Sequence, residues 1–242
     1  MFDDNFLSII DNIINKIISI LSYVVNILFQ MLYRVLIPTA GLGKRLGKQT
    51  KYINKSLISI NQKPAISHII ENYPSKTEFV IALGYKGTLV KNFLQLAYPN
   101  KKFLFVTIDK YIGKGSGLSY TILCCKKYLK KPFIFHACDT LINGKIPQPK
   151  FNWMGFSNTK KISNYRTIII NKNIINKIHS KKRSPSNSKA YIGLSGIKDT
   201  KKFWINMEKN YQKSLEQGEV IGLKSLIKNI IKPIYFDNFF PY

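Results

Sequence analysis

The chain has 242 residues, of which 38 are Lys or Arg and 12 are Asp or Glu, so its formal charge is +26. With 45% hydrophobic and 13% aromatic residues, it is too apolar for a disordered polycation. Three cysteines, two of them adjacent (Cys124 and Cys125), exclude a paired disulfide framework and favour a reducing, intracellular compartment.

The positive charge is almost entirely lysine. Four of the 38 basic residues are arginine, the side chain that suits bidentate recognition of phosphates and bases: Arg34, Arg45, Arg166 and Arg183. Lys, Ile and Asn share A/T-rich codons, so base composition alone can produce this bias. We therefore predict no specific nucleic-acid partner. The alternative is nonspecific binding of nucleic acid through the basic surface, which would depend steeply on salt.

Residues 1–33 have a helical hydrophobic period. Apolar side chains recur every three or four residues on one wide face: Phe6, Ile10, Ile13, Ile17, Ile20, Val24, Ile27 and Met31. Residues 17–33 carry no formal charge and approach the length of a membrane span. We interpret this segment as an apolar amphipathic helix. It could be an anchor at the cytoplasmic face of a membrane, a helix for a partner or oligomer, or a dispensable extension.

From residue 34 onward, short apolar strands alternate with helical stretches. We predict strands at 34–38, 78–83, 102–108 and 132–137 and helices at 64–73, 88–97 and 118–129. This alternation predicts βαβ units in a Rossmann-like α/β three-layer sandwich with a mostly parallel sheet. Further on, we predict strands at 165–170, 174–178 and 190–195 and helices at 201–217 and 222–231. Residues 34–242 then form one domain.

Two features follow predicted strands directly. The loop TAGLGKRLG begins after residue 38, and Asp139 follows the strand PFIFHA. Glycines let a backbone turn tightly and present N–H groups to phosphate oxygens, and Lys44 and Arg45 add positive charge. Because ligands of parallel sheets gather at the carboxyl ends of the strands, the loop and Asp139 should meet in one crevice.

The stretch VLIPTAGLGKRLG…NKSLISINQKPAI resembles the N-terminal signature of the sugar-phosphate nucleotidylyltransferases. The family pattern is an apolar strand, A-G-x-G-x-R-L, and then P-K-x-L followed later by K-P. The matching positions are Ala40, Gly41, Gly43, Arg45, Leu46, Lys55, Leu57, Lys63 and Pro64, with Asn54 where the family usually has proline. The segments VIALGYKG, GKGSGLSYTI, FIFHACDTLI, IHSKKRSPSNSKAYIGLSGI and GEVIGLKSLI resemble later family segments in the same order.

The resemblance implies a magnesium-dependent enzyme that joins an NTP to a sugar phosphate, or to an alcohol phosphate such as phosphocholine, and releases pyrophosphate. It assigns catalytic roles to Arg45, Lys55 and Asp139 and acceptor-phosphate binding to Lys181. The nucleotide would be bound by residues of two Gly-rich segments and the GYKG turn: Ala40, Gly41, Leu42, Gly43, Lys44, Gly84, Gly115 and Ser116. Members of the family that act in surface-polysaccharide or phosphocholine pathways are the most similar subtype.

The resemblance also implies that Asp139 binds Mg²⁺. A second metal carboxylate in the family lies near the C-terminus in a W-x-D-x-G pattern, and Asp237 is the candidate by position, although the tryptophan and glycine are missing. Two alternatives remain open: a metal-dependent glycosyltransferase of related fold, and a degenerate nucleotide-binding or membrane-tethered protein without activity. We expect a cytoplasmic location, and the sequence indicates neither the base, the acceptor nor the oligomeric state.

Overall fold

A computed structural model of the chain describes residues 4–30, 33–159, 161–181, 185–237 and 239–241. The chain divides into two compact units, Met1–Leu32 and Tyr33–Tyr242. The N-terminal unit contains one helix, α1 (Asp4–Gln30), which confirms the predicted apolar helix. Residues 1–3, 31 and 32 of the predicted segment lie outside the described residues. One window of α1, Ser8–Val25, is long and apolar enough to cross a membrane by length and composition alone.

The larger unit is built on a nine-stranded mixed sheet. Its core is four parallel strands in the spatial order β6-β1-β4-β5: β1 (Arg34–Pro38), β4 (Glu78–Leu83), β5 (Lys102–Thr107) and β6 (Phe133–His136). The strands β1, β4 and β6 are apolar runs because they are buried. Only the first residues of β1 and β4 are partly exposed. The predicted α/β fold with parallel core strands is therefore confirmed.

The rest of the sheet is largely antiparallel, so the sheet is mixed. Strand β11 (Lys189–Ile197) pairs antiparallel with β6, and it also pairs with β8 (Trp153–Ser157) and β9 (Arg166–Asn171). Strand β10 (Ile174–Ile178) pairs with β9, and β12 (Lys232–Tyr235) runs parallel to β8. The short strands β2 (Ser59–Ile60) and β3 (Lys63–Pro64) form one two-stranded sheet, and β7 (Thr140–Ile142) and β13 (Phe239–Pro241) form another.

Six short helices connect or follow these strands. They are α2 (Ala65–Glu71), α3 (Gly87–Ala97), α4 (Leu118–Cys124), α5 (Thr200–Lys209), α6 (Tyr211–Gln217) and α7 (Val220–Leu226). The single helix predicted at 201–217 is two helices in the structure. They break at Asn210, whose side-chain amide turns back to the carbonyl oxygens of Asn206. Side chains that satisfy nearby backbone in this way compete with continued helix.

The sequence prediction missed the strands β2, β3, β7, β8, β12 and β13. Trp153 and Met154 of β8 are fully buried, but the segment WMGFS has no clear alternation and follows a loop rich in polar residues and proline. The rest of the buried core follows the predicted strands and the apolar faces of α5 and α7, and Phe203 of α5 packs edge-on against Phe133 with ring centroids 5.5 Å apart.

Candidate active site

Three parallel neighbours, β4, β1 and β6, end at the same edge of the sheet. The Gly-rich loop 39–47 follows β1, the turn Gly84–Lys86 follows β4, and Ala137–Asp139 follows β6. The structure therefore places the loop and Asp139 at one edge, where the order of strands and helices predicts a ligand.

The Gly-rich loop is fixed at its start and turns at Gly43. Thr39 donates from both its backbone N–H and its hydroxyl to the carbonyl oxygen of Ala82. Gly43 has φ 67°, a left-handed conformation that favours glycine, and a Cβ there would lie 2.8 Å from the Thr50 methyl group. A Cβ on Gly41 would meet no atom within 4 Å, so the loop surface beside Gly41 is open.

The loops after β1 and β4 touch through backbone. The N–H of Tyr85 donates to the carbonyl oxygen of Ala40 at 3.0 Å. A Cβ on Gly84 would lie 2.7 Å from that oxygen, so only glycine permits this approach. Ala40 and Gly84, both predicted to bind nucleotide, thus form the junction beneath the loop. The hydroxyl of Tyr85 donates hydrogen bonds to the carbonyl oxygens of Thr50 and Lys51, which fixes the segment that follows the Gly-rich loop.

The predicted catalytic residues Lys55, Arg45 and Asp139 lie together at this edge. The Lys55 ammonium donates to the Asp139 Oδ2 at 2.9 Å, and Arg45 Nη2 lies 3.8 Å from the same oxygen. Lys55 is mostly covered, with a side chain 17% exposed, whereas the Arg45 side chain is 84% exposed. The structure thus offers one held cation and one that projects into solvent.

Electrostatics keep both Lys55 and Asp139 charged. Burial alone would lower the pKa of Lys55, but Cys138 and Asp139 raise it above its ordinary value. Burial would raise the pKa of Asp139, but Lys55 and then Arg45 hold it below its ordinary value. In such an arrangement the carboxylate can bind a metal ion, and the two cations can bind phosphate oxygens.

A cleft of about 220 Å³ lies between the two Gly-rich segments. The first segment contributes Leu42, Gly43 and Lys44, and the second contributes Tyr111, Ile112, Gly113 and Ser116. Of the predicted nucleotide-binding residues, four line the cleft. Gly115 belongs to the same second segment, where its φ of 84° helps to turn the chain, and Gly41 belongs to the first.

Lys181 belongs to a second group of charged residues. Partial desolvation and the nearby cations Arg45 and Arg166 lower its pKa, and the carboxylates of Asp139 and Glu219 oppose this effect. Glu219 is buried, and its pKa is raised by burial although it is hydrogen-bonded to Tyr191 and near Arg166. Lys181 directly precedes residues 182–184, which lie outside the described residues.

Sequence reasoning did not single out Arg166, Tyr191 or Glu219. Arg166 begins β9 and pairs in register with Tyr191 of β11, and Glu219 immediately precedes α7. The available signals were the scarcity of arginine and a lone acidic residue in the segment QGEVIGL. Neither signal specifies a location, because the sequence predicted the strands that contain Arg166 and Tyr191 but not their antiparallel pairing.

Asp237, the predicted second metal ligand, accepts a hydrogen bond from the Tyr235 hydroxyl at 2.9 Å. In the described part of the chain, neither a hydrogen bond nor an ion pair joins Asp237 to Asp139. Nor does any group of three or more His, Cys, Asp or Glu among the described residues suit a metal ion. The described contacts thus place Asp139, and not Asp237, beside the cations Lys55 and Arg45.

No family model matches the chain. The bifunctional protein GlmU of Methanococcus vannielii is 26% identical over 200 residues, covering 80% of this chain and 46% of that protein. The probable glucose-1-phosphate cytidylyltransferase of Bacillus subtilis is 31% identical over 120 residues, covering 48% of this chain and 44% of that protein. The chain spans about half the length of the curated relatives it matches.

Two solved structures share the fold. A putative glucose-1-phosphate thymidylyltransferase from Bacillus anthracis superposes with a TM-score of 0.71 at 16% identity, covering 85% of this chain and 87% of that one. The CTP:phosphocholine cytidylyltransferase LicC of Streptococcus pneumoniae superposes with a TM-score of 0.69 at 17% identity, covering 87% and 93%.

Proposed function

We propose that the chain is a nucleotidyltransferase related to the sugar-phosphate nucleotidylyltransferases, and that it transfers a nucleotidyl group from an NTP to a sugar phosphate or a small alcohol phosphate. The observation that carries this proposal is the contact of Lys55 with Asp139 at 2.9 Å, at the sheet edge where the Gly-rich loop begins. In this proposal, Asp139 is the carboxylate that would bind the metal and Lys55 the ammonium that would bind phosphate, at the edge where the loop would hold a triphosphate.

In the proposed reaction, a phosphate oxygen of the acceptor attacks the α-phosphorus of the NTP. The bond from that phosphorus to the bridging oxygen breaks, and pyrophosphate leaves. Such a transfer needs little covalent work from the protein, so positioning and charge neutralisation dominate. The open backbone beside Gly41 would bind triphosphate oxygens through N–H groups, as nests and Gly-rich loops do.

Lys55 and Arg45 have different roles in this scheme. Lys55 is held in one position, so it would keep the α-phosphate or the incoming phosphate in line for attack. Arg45 is largely exposed, so it can reach the departing pyrophosphate and neutralise the charge that develops there. Both cations lie on one oxygen of Asp139, so phosphate oxygens would compete with that carboxylate for them.

The donor set fits Mg²⁺ when a nucleotide is present. Mg²⁺ commonly uses one or two carboxylates and completes its coordination with phosphate oxygens and water. Asp139 would hold it here, and the ion would supply charge neutralisation at the α-phosphate. Because Asp139 is already paired with two cations, we expect Mg²⁺ to bind tightly only together with the triphosphate. Asp237 remains a predicted second ligand.

The acceptor's phosphate would bind at Lys181, near Arg166 and Arg45. The three cations outnumber the nearby carboxylates Asp139 and Glu219, so the local charge favours an added anion. An NTP on one side and a phosphate ester on the other would then meet above Asp139, which supports the bimolecular transfer.

The test is pyrophosphate release by the full chain in a matrix of the four NTPs against glucose 1-phosphate, phosphocholine and inositol 1-phosphate. Release that requires one NTP, one phosphate and Mg²⁺ supports the proposal. Release of inorganic phosphate instead, or no turnover by folded protein with any pair, overturns it. Sugar transfer from a ready-made nucleotide sugar would indicate the glycosyltransferase alternative.

We also propose that α1 holds the protein at the cytoplasmic face of a membrane. The described side chains of the helix form a wide apolar face, with Ile13, Ile17 and Ile20 more than half exposed. The lysine-rich composition favours anionic lipids. Flotation of the full chain and of a version that starts at residue 31, with vesicles of anionic lipid, tests this. Equal flotation of both overturns it.

A further inference from the structure

Asn54 precedes Lys55 and is fully buried. Its side-chain amide donates to the carbonyl oxygens of Thr39 at 2.8 Å and Tyr85 at 2.6 Å. Its side-chain oxygen accepts from the backbone N–H of Ser56 at 2.9 Å and from the Ser56 hydroxyl at 2.8 Å. An Asn side chain has two N–H donors and an oxygen with two lone pairs, so every hydrogen-bonding position of Asn54 is used.

These four bonds join three segments. Thr39 starts the Gly-rich loop after β1, Tyr85 lies in the turn after β4, and Ser56 is the second residue of a 3₁₀ turn, Lys55–Leu57. Asn54 is the N-cap of that turn, so its oxygen fixes the direction in which Lys55 leaves the backbone. A Cβ on Gly43 would lie 3.1 Å from the Lys55 Cβ, so the bend of the Gly-rich loop also passes close beside Lys55.

We propose that Asn54 is a positioning residue for the transfer reaction, holding the Lys55 ammonium against Asp139 by tying the loops after β1 and β4 to the turn that carries Lys55. The inference rests on the proposed function. It also explains how this chain departs from the family pattern, which has proline before the lysine. A proline side chain can make none of the four bonds, so here a saturated amide fixes the turn instead of a restricted backbone angle.

Other features fit this role. Because both carbonyl acceptors face one amide group, a carboxylate at position 54 would place negative charge against two carbonyl oxygens, and Asn54→Asp should be worse than truncation. The Gly84–Ala40 junction brings the two loops close enough for a single side chain to bridge them. Buried amides that satisfy all their bonds specify one arrangement, since each bond lost leaves a buried polar group unpaired.

The chain offers a matched control in Asn152. It is buried, its oxygen accepts from the backbone N–H groups of Lys198 and Asp199, and its amide donates to the Asp199 carboxylate. It joins loops at the opposite edge of the sheet, because Ile197 of β11 pairs with Phe133 at the start of β6. Asn152→Ala therefore costs stability through the same kind of bonds without reaching Lys55.

The experiment has two arms. In the first, folded protein is treated briefly with acetic anhydride, and acetylation of Lys55 is quantified by peptide mass spectrometry against the exposed Lys201. Local loosening of the turn should raise Lys55 labelling in Asn54→Ala by at least about threefold, with no rise in Asn152→Ala. This arm needs no activity. Unchanged Lys55 labelling in Asn54→Ala, or an equal rise in Asn152→Ala, overturns the inference.

The second arm is a kinetic double-mutant cycle with Asn54→Ala, Lys55→Ala and the double variant. If Asn54 acts through Lys55, its loss lowers kcat by about 10²-fold when Lys55 is present and changes it by less than about twofold when Lys55 is alanine. Equal losses in both backgrounds overturn the inference. Asn54→Ser keeps some of the hydrogen bonds, so its kcat should lie between those of wild type and Asn54→Ala. It replaces Asn54→Ala in the cycle if that variant does not fold. Wild-type protein without turnover would overturn the proposed function, leaving the labelling arm to decide on Asn54.

Discussion

The ammonium of Lys55 lies 2.9 Å from the carboxylate of Asp139 although 84 residues separate them in the chain. The contact exists because β1 and β6 are parallel neighbours, so the residues that follow them arrive at one edge of the sheet. It joins the Gly-rich segment and the strand-end aspartate in one site. The consequences below follow from that site and from the buried groups beneath it.

Removal of the Lys55 ammonium should destabilise the protein in a pH-dependent way. Lys55 lowers the pKa of Asp139 in the folded state, so the pair stabilises the fold above the unfolded pKa of Asp, about 4, and loses this effect as the pH falls through the lower folded value. We expect Lys55→Met to lower the free energy of unfolding by about 1–3 kcal/mol at pH 7, with the difference vanishing near pH 2.

Urea unfolding of wild type and Lys55→Met from pH 7 to pH 2 measures this difference. Lys126→Met is the control, because its partner Glu208 is half exposed and such surface pairs contribute little. A difference between wild type and Lys55→Met that stays constant over the whole range would show that the carboxylate of Asp139 is not involved.

Alanine substitutions at the first two glycines of the loop should have different effects, one on nucleotide binding and one on stability. Gly43→Ala strains a left-handed backbone and brings a methyl group 2.8 Å from Thr50, so it should lower the free energy of unfolding by about 1–3 kcal/mol. Gly41→Ala meets no protein atom, so it should leave stability within about 0.5 kcal/mol and weaken triphosphate binding, because its methyl group occupies the open loop surface.

Thermal or urea unfolding without nucleotide, together with calorimetric titration of NTP, separates these effects. Equal stability losses in Gly41→Ala and Gly43→Ala would contradict the loop geometry. Unchanged NTP affinity in Gly41→Ala would contradict the proposed role of the loop.

His136 should make the fold sensitive to mild acid. Its Nε2 donates to the Thr140 carbonyl oxygen and its Nδ1 accepts from the Tyr73 hydroxyl, both at 2.8 Å, which satisfies the neutral ring. Burial lowers its pKa from 6.5 to about 4. Between pH 6.5 and pH 4, His136 is therefore protonated in the unfolded chain but neutral in the folded chain. The fold should lose up to about 3 kcal/mol of stability over this range.

The comparison of His136→Gln with wild type tests this expectation. The variant should be less stable at pH 7 because it disturbs two buried bonds, but its free energy of unfolding should fall less steeply from pH 6.5 to pH 4. His68→Gln controls for loss of an imidazole elsewhere. A slope as steep in His136→Gln as in wild type would assign the acid sensitivity to other groups.

Lys181 should act on the acceptor and not on the nucleotide. Removing one of the three neighbouring cations weakens the binding of an added phosphate. Lys181→Ala should therefore raise the KM of the acceptor phosphate by about tenfold, the loss that is typical of one charged hydrogen bond. The KM of the NTP should change little. Lys177→Ala, on an exposed position of β10, is the control. A rise in the KM of the NTP alone would indicate that Lys181 binds the nucleotide and not the acceptor.

Local sequence patterns predicted the parallel half of the molecule well. Apolar runs such as EFVIAL and FIFH are strands because both faces of a central parallel sheet are covered, and the features that follow them share an edge by topology. The convergence of the Gly-rich loop and Asp139 could therefore be expected before any coordinates, whereas Lys55 was assigned to the site only through the resemblance. The antiparallel half was harder, because WMGFS and KPIY carry little alternation and gain their burial or pairing from distant partners.

The supporting residues were not predictable in the same way. Asn54 stands out from the sequence only as a departure from the family pattern, which has proline at this position. The structure shows four hydrogen bonds instead, made with residues up to 31 positions away. Likewise, Arg166 and Glu219 approach Lys181 through strand pairing and loop packing that no local pattern encodes.

The central claim is transfer at the α-phosphorus with departure of pyrophosphate, and isotope placement tests it most directly. With an active NTP and acceptor pair, label at the α-phosphate should appear in the nucleotidyl product and label at the γ-phosphate in pyrophosphate, both only with Mg²⁺. Asp139→Asn should lower the rate by at least about 10²-fold, and Glu208→Gln should leave it unchanged. Label from the γ-phosphate in inorganic phosphate, or full activity in Asp139→Asn, would contradict the account.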